Sequence, residues 1–229
     1  MYVKDHMTKN PYTITEDTVI SKALEIMQTH NFHRLPVVDG DGRLIGLVTG
    51  GLVKEKSGMQ STSLSIYELN YLLAKTQVKE IMIRDVQTTG ADVFLEEAAQ
   101  SMIDHGIAVL PVVDSADHVI GIITEKDIFQ AFNDLMGYQK QGSRFVINVD
   151  DKPGVMIGIG QLFAENDANL ESIAVYRSEE RGTEIVVKAT GEIETDAMIR
   201  ILLDAGYNVT NVVQTTFERT TKHYSIPAR

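Results

Sequence analysis

FHRLPVVDGDGRLIGLVTGGLV occupies Phe32–Val53, and IAVLPVVDSADHVIGIITEKDI occupies Ile107–Ile128. The second stretch repeats the first at an offset of 75 residues. Setting Val3 against Val78 extends the match without a gap over 3–53 and 78–128, with about a third of the positions identical. Identical pairs include Val3/Val78, Lys4/Lys79, Met7/Met82, Asp17/Asp92, Ala23/Ala98, Met27/Met102, Gly46/Gly121 and Thr49/Thr124. An agreement of that length is one structural unit written twice.

Each unit reads helix, strand, strand, helix. In 16–31 the side chains Ile20, Ala23, Leu24 and Met27 share one helical face, and Leu95, Ala98, Ala99 and Met102 do the same in the second copy. Asn31 and Gly106 fall where a helix ends in a left-handed residue. LPVVD and LIGLVT are short apolar strands, joined in the first copy by a Gly-Asp-Gly turn. A second helix follows, clearest in EKDIFQAFNDLM. A two-stranded ribbon with two helices cannot bury itself alone, so the copies are expected to pack together. Between them lies a polar loop and then a connector helix opened by a Ser65-x-x-Glu68 capping box, with Ile66, Leu69, Leu72 and Leu73 on one side.

A third domain begins near Ser143. RFVINVDD, NLESIAVYR, TEIVVKATG and VTNVVQT read as strands, with helices in KPGVMIGIGQLFAENDA and ETDAMIRILLDAGY. The order βαββαβ is the ferredoxin-like split unit. Gly158 and Gly160 are poor helix formers, which points to close backbone packing or to an irregular first turn. Expected boundaries are 1–56 and 78–140 for the two copies, 57–77 for the connector, 143–217 for the third domain and 218–229 for a tail.

The chain has 229 residues and a net charge of −11. That charge disfavours non-specific attraction to nucleic acid or acidic lipid. There is no helix-turn-helix or basic arm, and an anionic ligand must find a local positive pocket. Zero cysteines exclude disulfides and thiolate chemistry. With no long apolar run and no signal-peptide start, the expectation is a cytoplasmic protein that does not enter membranes. His30-x-x-His33 lacks a third metal ligand at matching spacing. Asp150 and Asp151, adjacent on a strand, point to opposite faces and make no catalytic pair. No P-loop, HExxH or Ser-His-Asp ordering is present, so the expectation is a non-enzymatic protein needing no catalytic cofactor or metal.

The Leu-Pro-Val-Val-Asp strand, the Ile-Gly-hydrophobic-hydrophobic-Thr strand and the closing Thr-x-x-Asp resemble paired cystathionine-β-synthase (CBS) domains, the Bateman module, over about residues 1–140. Asp151-Lys152-Pro153-Gly154 before a helix, then Asn169-Leu170 opening the next strand, resembles an ACT domain, a regulatory module that often binds amino acids. The combined order is similar to the AcuB-like proteins named for acetoin utilisation. The fold implied is α+β: a tandem CBS pair of two- or three-stranded ribbons with helices, followed by a ferredoxin-like βαββαβ ACT domain.

The two copies end differently. Thr124 and Asp127 form a capping box at a strand-to-helix junction, which needs no ligand. The first copy keeps Thr49 but has Leu52 in place of the aspartate, so the unit folds without that carboxylate. A carboxylate there can also accept from ribose hydroxyls, beside a helix start that favours phosphate. The resemblance implies that Thr124 and Asp127 hold ribose and phosphate of an adenine nucleotide, with the adenine against apolar groups such as Ile122. It also implies that each cleft is built from both copies, so Phe32, His33 and Arg34, with the lead-in around Tyr12, complete the Asp127 cleft. The twin cleft at Thr49 and Leu52 lacks both the carboxylate and the basic pair, and is expected to bind weakly or not at all. AMP, ADP, ATP and cyclic di-AMP all remain candidates. For the ACT domain the resemblance implies association with a second copy, with a small ligand such as an amino acid lodging at the joint around Asp151, Pro153, Gly154, Asn169 and Leu170. CBS modules of the family also pair, so a homodimer is expected on two counts. The alternative is an enzyme or accessory protein of acetoin metabolism.

Overall fold

The first copy forms α1 (Val3–His6), β1 (Thr8–Lys9), β2 (Ile14–Thr15), α2 (Ile20–Thr29), β3 (Arg34–Val38), β4 (Leu44–Thr49) and α3 (Gly50–Lys56). After α4 (Ile66–Lys75) and a 3-10 turn at Val78–Glu80 come β5 (Thr89–Gly90), α5 (Leu95–His105), β6 (Val109–Val113), β7 (Val119–Thr124) and α6 (Glu125–Leu135). The third domain forms β8 (Gly142–Val149), α7 (Val155–Glu165), β9 (Asn169–Ser178), β10 (Gly182–Thr190), α8 (Thr195–Asp204), β11 (Asn208–Thr215) and β12 (Thr221–His223). This computed structural model describes residues 1–56, 66–191, 194–216 and 220–226. The chain divides into two units, Met1–Phe129 and Gln130–Arg229.

In the first unit the sheets have orders β2-β3-β4 and β1-β7-β6-β5. The second order contains the main surprise: β1 belongs to the first copy in sequence but pairs with β7 of the second, Thr8 opposite Ile122 and Lys9 opposite Gly121. The reciprocal contact is made by Ile83, whose N–H and C=O exchange 2.9 Å hydrogen bonds with Leu47 on β4. Each lead-in thus covers the open edge of the other copy's ribbon, satisfying backbone groups that would otherwise be unpaired.

This exchange explains much of the duplicated sequence. Lys4 pairs with Asp92 at 2.6 Å and Lys79 with Asp17 at 2.8 Å, so both identical Lys/Asp positions bridge from one copy to the other. A Cβ on Gly46 would lie 2.6 Å from Met82 Sδ and 3.0 Å from the Ile83 carbonyl. A Cβ on Gly121 would overlap Met7. Val78, Met82 and the connector residue Leu73 lie in the first copy's core, among Ile20, Ala23, Leu35 and Val48. Full burial of Val3 and Val78 contributes about 1.5–3 kcal/mol each.

Asn31 (φ +54°) and Gly106 (φ +61°) take the expected left-handed conformation just past α2 and α5. α2 starts at Ile20 rather than Glu16, because Val19 is held extended by a bridge to Gln77. In α4 Leu73 is buried while Leu72 faces outward, so the expected apolar side is narrower. Ser65, and the side chains of Ile66 and Leu69, lie outside the described residues.

The second unit has strand order β12-β11-β8-β10-β9, with α7 and α8 packed on one face over Phe145, Ile147, Ile185 and Val187. Leaving β12 aside, this is the ferredoxin-like arrangement. The expected tail instead supplies a fifth strand: Thr221–His223 pairs with Val213–Thr215, and Tyr224 and Ile226 pack on the core. α7 is a regular helix throughout. Gly158 is explained by close packing, since a Cβ there would overlap the Tyr207 hydroxyl; nothing in the structure explains Gly160. No helix among the described residues is long and apolar enough to cross a membrane.

Candidate functional site

The cleft begins at two equivalent junctions. Gly50 N–H donates to the His33 carbonyl at 2.9 Å, and Glu125 N–H donates to the Ala108 carbonyl at 3.3 Å, so each second helix starts against the first strand of its own ribbon. The caps then diverge. In the first copy Leu52 N–H donates to Thr49 Oγ1 at 3.1 Å, an ordinary threonine cap. In the second, Asp127 Oδ2 accepts from the Thr124 N–H at 2.8 Å and from the Thr124 hydroxyl at 2.6 Å. The threonine hydroxyl has turned from acceptor to donor. Both bonds fall on one carboxylate oxygen, and among the described residues Oδ1 has no partner. Asp127 is therefore partly a structural cap, with acceptor capacity to spare.

Around this junction opens a cavity of about 650 Å³, within the usual range for small-molecule sites. Thr124, Asp127, Ile122, Phe32, His33, Arg34 and Tyr12 all line it, so the seven residues singled out in the sequence converge on one place. The first copy supplies one wall and the second the other. Arg34 has no carboxylate partner among the described residues, although it sits on a strand facing Thr49 of β4.

The sequence reading missed other lining residues, notably His30, Asn10 and Lys126. His30 packs against Tyr12 with ring centroids 4.1 Å apart and stacks on Phe32 at 5.6 Å, closing an aromatic wall. Its position at the end of α2 was visible, but only tertiary packing brings it beside Tyr12. Asn10 arrives through the exchange of lead-ins, its N–H donating to the Ile120 carbonyl at 3.1 Å. Lys126 adds an ammonium to the Arg34 guanidinium in a cleft of a strongly acidic protein.

In the second unit, Asp151, Pro153 and Gly154 line a separate cavity of about 480 Å³ with Val155, Met156, Val175 and Arg177. Arg177 Nε donates to Asp151 Oδ2 at 2.9 Å and holds its own guanidinium charge more firmly for it. Asn169 and Leu170 do not join them. Asn169 pairs with Thr190 and Arg177 with Thr183, which puts the two at opposite ends of β9. Leu170 packs on the helix-covered core. Within one chain the turn residues and Asn169–Leu170 therefore lie a strand's length apart.

Residues 3–51 and 78–134 match the CBS domain family, and residues 143–204 match the ACT domain family. The chain belongs to the tandem CBS-domain proteins, with an ACT domain following the pair; both kinds of domain are regulatory modules. The CBS domain pair of protein MJ0100, solved with 5′-methylthioadenosine and S-adenosyl-L-methionine, is 32% identical with a TM-score of 0.50, covering 58% of this chain and 96% of that one. The Vibrio cholerae protein AcuB, whose name refers to acetoin utilization, is 28% identical with a TM-score of 0.51, covering 61% of this chain and 96% of that one. The homoserine O-acetyltransferase of Methanocorpusculum labreanum is 36% identical over 128 residues, 56% of this chain. The chain spans only 23% of that relative's length, so the enzyme's name describes a much longer protein.

Proposed function

We propose that this protein is a non-enzymatic sensor that binds an adenine nucleotide in the Asp127 cleft, with the ACT domain serving dimerisation or a second small ligand. The observation that carries this reading is the polarity of the cleft. Arg34, His33 and Lys126 line the same cavity as Glu125 and as Asp127, whose Oδ1 is unpartnered among the described residues; an aromatic wall of Tyr12, His30 and Phe32 stands beside them. Asp127 accepts from ribose, the cations and the start of α6 receive phosphate, and the rings and Ile122 take the base. The adenosine ligands of MJ0100 support an adenosine core. Methylthioadenosine carries no anionic group, however, and would leave Arg34 unused, so an adenosine ligand with an anionic group, such as a phosphate, fits this cleft better.

Both mononucleotides and cyclic di-AMP meet that description. A cyclic dinucleotide has an esterified 3′ oxygen and offers Asp127 only the 2′-hydroxyl, while its two phosphates favour His33 and Arg34. Calorimetry on the full chain with AMP, ATP, cyclic di-AMP and methylthioadenosine tests the reading. One tight site per chain without turnover is expected. Two equivalent sites would show that the Thr49/Leu52 cleft had been wrongly discounted, and no binding of any of the four would refute the sensor reading.

In the second unit β9 is an edge strand, with Ile173 and Val175 exposed on it and Ile157 74% exposed on α7. An unpaired edge beside exposed apolar side chains favours association with a second copy. Light scattering at micromolar concentration should give twice the chain mass, and the monomer mass would contradict this. An amino acid at the turn would set its ammonium on Asp151 and its carboxylate on Arg177.

A further inference from the structure

Strands β9, β10 and β8 carry a row of directly opposed residues, Ser172, Lys188 and Arg144. Their neighbours Phe145 and Val187 lie in the helix-covered core, so this row projects from the helix-free face. Lys188 is only 1% exposed. Its Nζ donates to the Gly142 carbonyl at 3.0 Å and the Thr215 hydroxyl at 3.4 Å, both neutral. Burial, and then the Arg144 charge, push its ammonium below the usual lysine range.

Like charges opposed across strands are destabilising, and buried charges are ordinarily paired. Here both hydrogen-bond partners of Lys188 are neutral. The charge of Glu171 acts on Lys188 in its favour, but Glu171 forms its ion pair with Lys140, at 3.5 Å. Arg144 has no acceptor, and its Nε is buried without a partner. The Ser172 hydroxyl is buried without a partner as well. Among the described residues these are the two orphaned buried side-chain atoms, and they flank the same buried lysine. Gly137 lies over the row, where a Cβ would come within 3.3 Å of Lys188 and 3.0 Å of Glu171.

We propose that Arg144, Lys188 and Ser172 form a binding subsite for a small free oxyanion, a phosphate or carboxylate, on the helix-free face of the ACT sheet. Such an anion takes the Arg144 Nε–H and the Ser172 O–H and offsets the opposed cations, which a water cannot do. The subsite is independent of the nucleotide cleft.

The test is the thermal midpoint of the full chain titrated with sodium phosphate and with sodium acetate, at ionic strength held constant with sodium chloride. A saturable rise at low millimolar concentration is expected, as opposed to the gradual, non-saturating stabilisation that phosphate gives any protein by exclusion from its surface. Arg144→Gln should weaken the apparent affinity by about tenfold or more, with Ser172→Ala weakening it less. Arg34→Ala should leave the response intact, which separates this subsite from phosphate bound in the nucleotide cleft. Lys188→Met should raise the midpoint without anion and abolish the response. A midpoint indifferent to both anions, a rise that chloride reproduces, or one that Arg144→Gln and Ser172→Ala both leave unchanged would overturn the proposal.

Discussion

Replacing Asp127 with asparagine is expected to weaken mononucleotide binding roughly ten- to a hundredfold, from loss of charge-assisted hydrogen bonds worth ~1.5–3 kcal/mol. Asparagine is the better substitution than alanine, because Asp127 also accepts the Thr124 N–H and hydroxyl bonds through Oδ2. An amide oxygen can keep those bonds while an NH2 replaces the acceptor at Oδ1. The melting temperature should therefore move little, and calorimetry reads the ligand contact rather than the cap. Unchanged affinity for AMP and ATP would remove Asp127 from the site. If the physiological ligand is cyclic di-AMP, the ranking inverts, and Arg34→Ala costs more than Asp127→Asn. A competition titration with labelled cyclic di-AMP separates these outcomes.

Gly46→Ala should destabilise the CBS pair by about 1–3 kcal/mol, the usual cost of overpacking a well-filled core. Each kcal/mol lowers the melting temperature by ~2–4 °C in a chain of this size. The equivalent change in the second copy, Gly121→Ala, should cost less. The new Cβ on Gly46 meets both Met82 and the Ile83 carbonyl, and the carbonyl is fixed by its hydrogen bond to Leu47. At Gly121 the nearest atoms all belong to the Met7 side chain, whose flexible thioether can move aside. Equal losses at the two positions, measured by chemical denaturation, would show that the methionines rather than the carbonyl dominate.

Much of the fold was legible because its signals are local. Asn31 and Gly106 marked helix ends through a backbone preference carried by single residues, and βαββαβ followed from runs of apolar periodicity. The cleft was legible for a different reason. Duplication supplies an internal control, and Leu52 against Asp127 shows which copy retains an extra carboxylate. His30 was weighed only as a metal ligand, and its place in the cleft wall was not legible because a histidine at a helix end has no such signature until Tyr12 is packed on it. That Asn169 lies a strand's length from Asp151 within one chain was not legible, because it depends on the running direction and length of β9, which motif spacing does not encode.

By itself the sequence determined the repeat, the class of each domain, the difference between the Thr49–Leu52 and Thr124–Asp127 junctions and the residues that converge on the second. These follow from side-chain chemistry and from periodicities spanning a few residues. Only the tertiary structure decided that the copies exchange their lead-ins. β1 is two residues long, too short for any alternation of apolar and polar side chains to announce it. Its partner is chosen by which strand edge lies open beside it, and that edge belongs to a strand more than a hundred residues away. The same is true of the Arg144–Lys188–Ser172 row, where register across three strands brings two cations and a hydroxyl together. Pairing between strands is a property of the assembled sheet, and no single segment carries it.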